Sequence, residues 1–115
     1  MKAKIKVGGE TIEIEDIVER KGFSKAIGLM FSKQETARAM LFRFNKETKT
    51  PIHSFFCPEF LAVWMKNGNV IETRVVNKRN FSIKPKEKFD TLIEIPFNKR
   101  YEKAINFFKN KNFPS

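Results

Sequence analysis

The sequence has 115 residues, the usual size of one folded domain. A chain of this length can bury a hydrophobic core without the support of disulfides or a structural metal. Its single cysteine excludes an internal disulfide, and no stretch approaches the ~18 consecutive apolar residues of a membrane span. We therefore expect a single cytoplasmic domain over residues 1–115, without a membrane segment or a signal peptide.

The first predicted element is a β-hairpin in KAKIKVGGETIEIE, where Gly8-Gly9 forms a two-residue loop between two alternating runs. This register predicts the apolar pairs Ala3–Ile14 and Ile5–Ile12 on one face, and the charged pairs Lys2–Glu15 and Lys4–Glu13 on the other. Each pair of opposite charges across the two strands stabilises this register by roughly a few tenths of a kcal/mol.

A short helix and a strand follow the hairpin. Ser24 can cap a helix near residues 24–31, although Gly28 lowers its intrinsic stability. The next run, ARAMLFRF, alternates and predicts a half-buried strand with Arg43 on its outer face. Its inner face carries Met40, Phe42 and Phe44.

The middle of the chain, from Ile52 to Val76, predicts extended structure broken by Pro58 and then a second hairpin. Asn67-Gly68 fits a type I′ turn. That turn predicts the pairs Phe60–Val75, Ala62–Thr73 and Trp64–Ile71. Because both faces of the first strand are apolar, we expect this strand to lie centrally between two layers.

The C-terminal third predicts one or two strands in NFSIKPKEKFDTLIEIP, ended by Pro85 and Pro96, and then a helix. Tyr101, Ile105 and Phe108 share one face of that helix. The many short strands and turns predict a mainly β fold, a β-sandwich or barrel-like and mostly antiparallel, with the short helix near residues 24–31 and a C-terminal helix.

His53 and Cys57 are the only residues of their types, and their spacing invites a catalytic interpretation. The segment between Pro51 and Pro58 should be extended, which separates the two residues by roughly 13 Å at Cα, whereas a nucleophile and its base lie about 3 Å apart. A zinc site would need further Cys, His or carboxylate ligands at suitable spacing. We therefore interpret Cys57 as a small buried thiol.

Other catalytic patterns are absent from the sequence. It contains no D-x-D pair, no phosphate-binding glycine loop and no serine in a nucleophile elbow. We expect no catalytic, cofactor-binding or metal-binding residues and no cofactor. An enzyme without a recognisable motif is the third and weakest function class.

The pieces AIGLMFSK, AMLFRF and HSFFCP, in this order and spacing, resemble the uncharacterised conserved family called domain of unknown function 192. The resemblance continues through NGNVIETRVV and IKPKEKFDTLIEIP, and covers about residues 18–96. At Cys57 the family usually has methionine. The resemblance implies a mostly β, sandwich-like domain with a short helix after the first strands, and it implies no established activity.

The first function class is a non-catalytic binding domain for a small ligand or a protein partner. Its candidate pocket is apolar and is formed by Met30, Phe31, Phe42 and Phe55.

The second class is binding of nucleic acid, either single-stranded or RNA, through the basic C-terminal third. The net charge is +10, and residues 74–115 carry 11 basic and 4 acidic side chains. The candidate polyanion-binding residues are Arg74, Lys78, Arg79, Lys84, Lys86, Lys88, Lys99, Arg100 and Lys103. Genome composition is an alternative source of the charge, since lysine outnumbers arginine 17 to 6.

Overall fold

Seven strands and one C-terminal helix make up the regular structure of the computed structural model, which describes residues 1–20, 29, 32–52, 57–77 and 82–111. The strands are β1 (Ala3–Val7), β2 (Glu10–Ile14), β3 (Val18–Arg20), β4 (Met40–Thr48), β5 (Phe60–Lys66), β6 (Asn69–Val76) and β7 (Phe89–Pro96). A 3-10 turn at Lys99–Tyr101 leads into the helix α1 (Glu102–Lys109).

The N-terminal hairpin is a two-stranded antiparallel sheet with the predicted register. Ala3 faces Ile14, Lys4 faces Glu13, and Ile5 faces Ile12. Gly8 has a φ of 63°, a value that glycine adopts without strain. Lys2 Nζ lies 3.7 Å from a Glu13 carboxylate oxygen and 3.8 Å from one of Glu15.

The other five strands form a mixed sheet in the order β3-β4-β7-β5-β6. All its pairs are antiparallel except β3–β4, which is parallel. The prediction of a mainly β, mostly antiparallel fold with a C-terminal helix is confirmed. Among the described strands, β3 and β6 form the edges, so this sheet is open and does not close into a barrel.

Each face of the five-stranded sheet carries its own core. On the first face, side chains such as Leu61 and Ile95 pack against the hairpin and against α1. On the second face, side chains such as Trp64 and Leu92 pack against residues of the connecting segments, including Cys57. As predicted, β5 is central and lies between two layers, and its residues Phe60–Met65 are buried.

The second hairpin has the predicted turn but only part of the predicted register. Both turn residues have positive φ, 52° at Asn67 and 80° at Gly68, as a type I′ turn requires. The predicted pairs of Phe60, Ala62 and Trp64 are wrong by one residue. The observed pairs are Phe60–Val76, Ala62–Arg74 and Trp64–Glu72.

A β-bulge causes this shift. Met65 pairs with Val70 but Trp64 pairs with Glu72, which leaves Ile71 as an extra residue on β6. Ile71 packs against the core of the second face, and an edge strand accommodates such an extra residue because only one side of its ladder is paired.

The predicted C-terminal helix is confirmed, and Tyr101, Ile105 and Phe108 are buried on one side of it. The segment before Pro96 supplies one strand, β7, together with an isolated bridge between Ile52 and Ile83. The predicted helix near residues 24–31 lies outside the described residues, apart from Leu29, which is a buried turn residue. No helix in the described ranges is long and apolar enough to cross a membrane.

Candidate functional site

The second face of the sheet holds two neighbouring rows of side chains, which the strand registers define. In strand order from β3 to β6, the first row is Val18, Met40, Glu94, Ala62 and Arg74. The second row is Arg20, Phe42, Leu92, Trp64 and Glu72. The centre of the first row is therefore a carboxyl group on a strand that is buried on both faces.

Glu94 is the only polar or charged residue among the described ones that is classed as buried, and 6% of it is exposed. No described residue forms a hydrogen bond or an ion pair with its carboxyl group. Burial raises the pKa of this carboxyl from its ordinary 4.5 to about 8, because an apolar surrounding disfavours the charged form. The raised pKa favours the protonated form, whose O–H is a hydrogen-bond donor.

Trp64 places a buried polar atom without a hydrogen-bond partner on this face. The side chain is fully buried, and its Nε1 has no hydrogen-bond partner. Trp64 lies opposite Leu92, so Glu94 is its diagonal neighbour across β5 and β7, at a typical spacing of about 7–8 Å. An unsatisfied buried donor costs about 1–3 kcal/mol. The unsatisfied Trp64 donor therefore shares this face with the Glu94 carboxyl and the small residue Ala62.

Arg20 extends over the same face from the edge strand β3. Its Nε donates a hydrogen bond to the Sδ of Met40 at 3.3 Å, and Met40 is the direct neighbour of Glu94. Within the described part of the chain, no carboxylate forms an ion pair with Arg20. The guanidinium group thus contacts a weak sulfur acceptor and retains unused donors.

Arg74 and Glu72 lie at the other edge of the face, on β6. They form an ion pair, and the guanidinium carbon of Arg74 lies 5.5 Å from the centroid of the Trp64 ring. Glu72 also accepts a hydrogen bond from the backbone N–H of Lys86 at 2.8 Å. These two charges compensate each other, unlike the charge of Arg20.

Cys57 also belongs to the second core, with 7% of its surface exposed, so the predicted buried thiol is confirmed. Burial, and next the charge of Glu94, raise the pKa of this thiol from 9.0 to about 12. The thiolate needed for nucleophilic attack is therefore scarce at neutral pH.

His53 lies outside the described residues. In the described ranges, no three Cys, His, Asp or Glu side chains are grouped so as to hold a metal.

Six of the nine predicted polyanion-binding residues fall into two groups at opposite ends of β7. Lys84, Lys86 and Lys88 are exposed in the loop before the strand. Lys99, Arg100 and Lys103 are exposed after it. Because a strand rises about 3.3 Å per residue, Phe89 and Pro96 separate the two groups by roughly 23 Å.

Among the described residues of the predicted set, Arg74 and Arg100 form ion pairs. Arg74 pairs with Glu72, and Arg100 pairs with Asp16 at 2.6 Å. Lys78 and Arg79 lie outside the described residues. The loop that carries Lys84, Lys86 and Lys88 is an exposed cationic surface within the predicted set.

Of the four residues of the predicted apolar pocket, only Phe42 lies among the described residues. Phe42 is 2% exposed and lies in the second row of the face, between Arg20 and Leu92. Met30, Phe31 and Phe55 lie outside the described residues.

Sequence reasoning missed Glu94, Trp64 and Arg20 as site residues. The available signal was a glutamate in the apolar run TLIEIP, which is unusual for a strand buried on both faces.

A groove of about 730 Å³ lies on the other side of the molecule, between β2 and α1. Its acidic groups and Arg100 form ion pairs, and Lys103 also lines it. Asp16 lies 2.6 Å from both Arg38 and Arg100, and Lys2 is near the carboxylates of Glu13 and Glu15. Four of the five charged residues that line this groove are therefore engaged in ion pairs.

Comparison with known proteins shows the fold and no function. No family model matches the chain, and no curated protein matches it. The chain is similar to the crystal structure of a "putative transcription regulator" from Sinorhizobium meliloti 1021, with a TM-score of 0.67, 16% identity, and coverage of 90% of this chain and 83% of that one.

A second similar structure is a protein of unknown function from Novosphingobium aromaticivorans DSM 12444. Its TM-score is 0.66 at 13% identity, and the match covers 87% of this chain and 74% of that one. At these identities the likeness shows a shared fold alone. The resemblance to domain of unknown function 192 stays a prediction.

Proposed function

We propose that the protein is a non-catalytic cytoplasmic domain that binds a small ligand on the second face of its five-stranded sheet. The observation that carries the proposal is the pair formed by Glu94 and Trp64. Both side chains are buried, the Trp64 Nε1 has no hydrogen-bond partner, and both residues lie beside Ala62.

Energetics support a binding role over a purely structural one. A buried donor without an acceptor destabilises the fold, and native cores contain few of them. Apolar residues of similar size at positions 64 and 94 would fill the same space without that cost. A ligand that accepts these hydrogen bonds recovers the lost energy on binding. Apolar neighbours such as Phe42 and Leu92 would contact the body of the ligand.

The test uses the single tryptophan of the chain as a reporter. We would record the indole N–H resonance of Trp64 in ¹⁵N-labelled protein while adding compounds from a fragment library. The proposal predicts saturable shifts of this resonance, and of the Ala62 amide, with at least one chemical class. A library that leaves both resonances unchanged in folded protein would contradict it.

Two variants separate site binding from surface binding. Glu94→Leu removes the carboxyl group and should weaken binding at least tenfold. Thr11→Ala alters an exposed position on β2, on the far side of the molecule, and should leave binding unchanged. Equal affinities of the two variants would place the ligand elsewhere.

Nucleic-acid binding is the second candidate function. Its support is the exposed loop that carries Lys84, Lys86 and Lys88. One similar structure is described as a "putative transcription regulator", but at 16% identity this description supports no role for particular residues of this chain.

Fluorescence anisotropy with labelled single-stranded DNA, RNA and duplex tests this candidate. At about 0.2 M salt, non-specific binding is weak. Micromolar binding that persists there, and that is lost when the three lysines are changed to serine, would establish it. Collapse of the signal at that salt concentration would exclude it.

A further inference from the structure

Three polar groups on the described part of the second face, those of Trp64, Arg20 and Glu94, can each donate a hydrogen bond. The indole N–H of Trp64 and the guanidinium of Arg20 are donors only. The protonated carboxyl of Glu94 contributes an O–H. A ligand that satisfies all three must therefore be rich in acceptor atoms.

The positive charge on this face is also incompletely compensated. Arg74 is neutralised by Glu72, whereas no described carboxylate pairs with Arg20. A guanidinium group binds a carboxylate with two parallel hydrogen bonds, which is a stronger arrangement than its contact with the Met40 sulfur. The protein's net charge of +10 further favours the approach of an anion.

We propose that the ligand of this face is a small organic carboxylate. Its carboxylate group accepts hydrogen bonds from Arg20, and a second acceptor, such as a carbonyl or hydroxyl oxygen, receives those of Glu94 and Trp64. This inference rests on the proposed function, because it names the chemical class that the same site would bind.

The size of the ligand follows from the strand spacing. Met40, which Arg20 contacts, and Trp64 lie on β4 and β5, with β7 between them. Two strand spacings correspond to about 10 Å, and the side chains of Arg20 and Trp64 shorten the gap further. An acid with one ring or a short chain fits this separation.

The carboxyl of Glu94 should make this binding depend on pH. Among the described residues, the charged or titratable groups that share its face are Arg20 on β3, Arg74 and Glu72 on β6, and Cys57 before β5, while β4 and β5 place Met40 and Ala62 beside it. When Glu94 loses its proton, the site loses a donor and gains a negative charge. Both changes weaken the binding of an anion.

Three compounds on one scaffold test the charge preference: benzoate, benzamide and benzylamine, each titrated at constant ionic strength while the Trp64 indole resonance is followed. Inorganic phosphate is the fourth probe. The proposal predicts that benzoate binds at least tenfold more tightly than benzylamine, and that its affinity falls about tenfold between pH 6.5 and pH 9. Phosphate binding without benzoate binding would overturn it.

Variants identify the groups that hold the carboxylate. Arg20→Met keeps an apolar stem over the face and should lower benzoate affinity about tenfold, with partial recovery in Arg20→Lys. Arg43→Met removes the same charge from an exposed position of β4 and should have no effect. Glu94→Gln keeps a donor and should retain binding but lose the pH dependence.

The outcomes distinguish this inference from the function beneath it. If benzamide or benzylamine shifts the Trp64 resonance and benzoate does not, the ligand-binding site stands and the carboxylate class is wrong. If none of the four probes and no library fragment shifts it, both proposals are wrong.

Discussion

The Tyr101 hydroxyl donates a hydrogen bond to the backbone carbonyl oxygen of Asp16 across 2.9 Å. The same hydroxyl accepts a hydrogen bond at 2.8 Å from the N–H of Ala39, the residue before β4. A single side chain at the start of α1 thus joins the loop that leaves the hairpin to the beginning of a sheet strand. This contact fixes the helix and the hairpin together on the first face.

Tyr101→Phe should destabilise the protein by about 1–3 kcal/mol, because it leaves the buried N–H of Ala39 without an acceptor while the ring still packs. Urea unfolding followed by circular dichroism measures the change. Asn106→Ala, at an exposed position of the same helix, is the control and should stay within about 0.5 kcal/mol of the native protein. Equal stability of Tyr101→Phe and the native protein would show that the bridge contributes nothing.

Glu94 should make stability fall as the pH rises from about 5 to about 8. Its pKa is about 8 in the folded protein and near the ordinary 4.5 when unfolded, so between these values the folded state binds the extra proton. The expected loss is several kcal/mol, roughly 1.4 kcal/mol for each unit of pKa difference. Urea unfolding at pH 5, 6.5 and 8 measures it.

Glu94→Gln is the matched control for that pH dependence, since its amide does not titrate. In this variant the fall between pH 5 and pH 8 should be much smaller. A decline of the same size in both proteins would assign the effect to other groups and would place the carboxyl in contact with water.

Cys57 should react slowly with thiol reagents in the folded protein. With a pKa of about 12 in place of 9.0, its thiolate fraction at pH 8 is lowered about 1,000-fold, and burial restricts access as well. The release of nitrothiobenzoate from Ellman's reagent, with and without urea, measures the difference. Labelling at the same rate in both conditions would show that the segment before β5 opens readily.

Gly68→Ala should destabilise the second hairpin by about 1–2 kcal/mol, because Gly68 has a φ of 80° that disfavours an L side chain. No atom lies within 4 Å of the added Cβ, so the cost arises from the backbone alone. Gly9→Ala is the control, since Gly9 has no positive φ and equally open surroundings. Equal unfolding midpoints of the two variants would contradict the type I′ assignment.

The two hairpins show how far local sequence patterns reach. In the first, the glycine turn and the charge pairing of Lys4 with Glu13 were sufficient to predict the register. In the second, the turn was predicted correctly, but the bulge at Ile71 was not. The alternating pattern carries no mark of such a bulge, because Ile71 and its neighbours are acceptable on either face of an edge strand.

The site was harder to predict for a related reason. Alternation assigns residues to an inner or an outer face, but β5 and β7 have core on both sides. Glu94 in TLIEIP reads as a solvent-facing residue of a half-buried strand, whereas the structure places it in the second core. The position of Arg20 beside Met40 depends on the parallel pairing of β3 with β4, which no short pattern predicts.

Interactions between residues that are close in the chain therefore account for the two turns, the first register and the apolar face of α1, because turn geometry and helical period act over a few residues. The site depends on the assembly of β3, β4, β5, β6 and β7 from distant segments. Only that assembly puts Glu94 between Met40 and Ala62, with Trp64 diagonal to it. Cross-strand neighbours are set by the order and register of the whole sheet, and burial there raises the pKa of the carboxyl group.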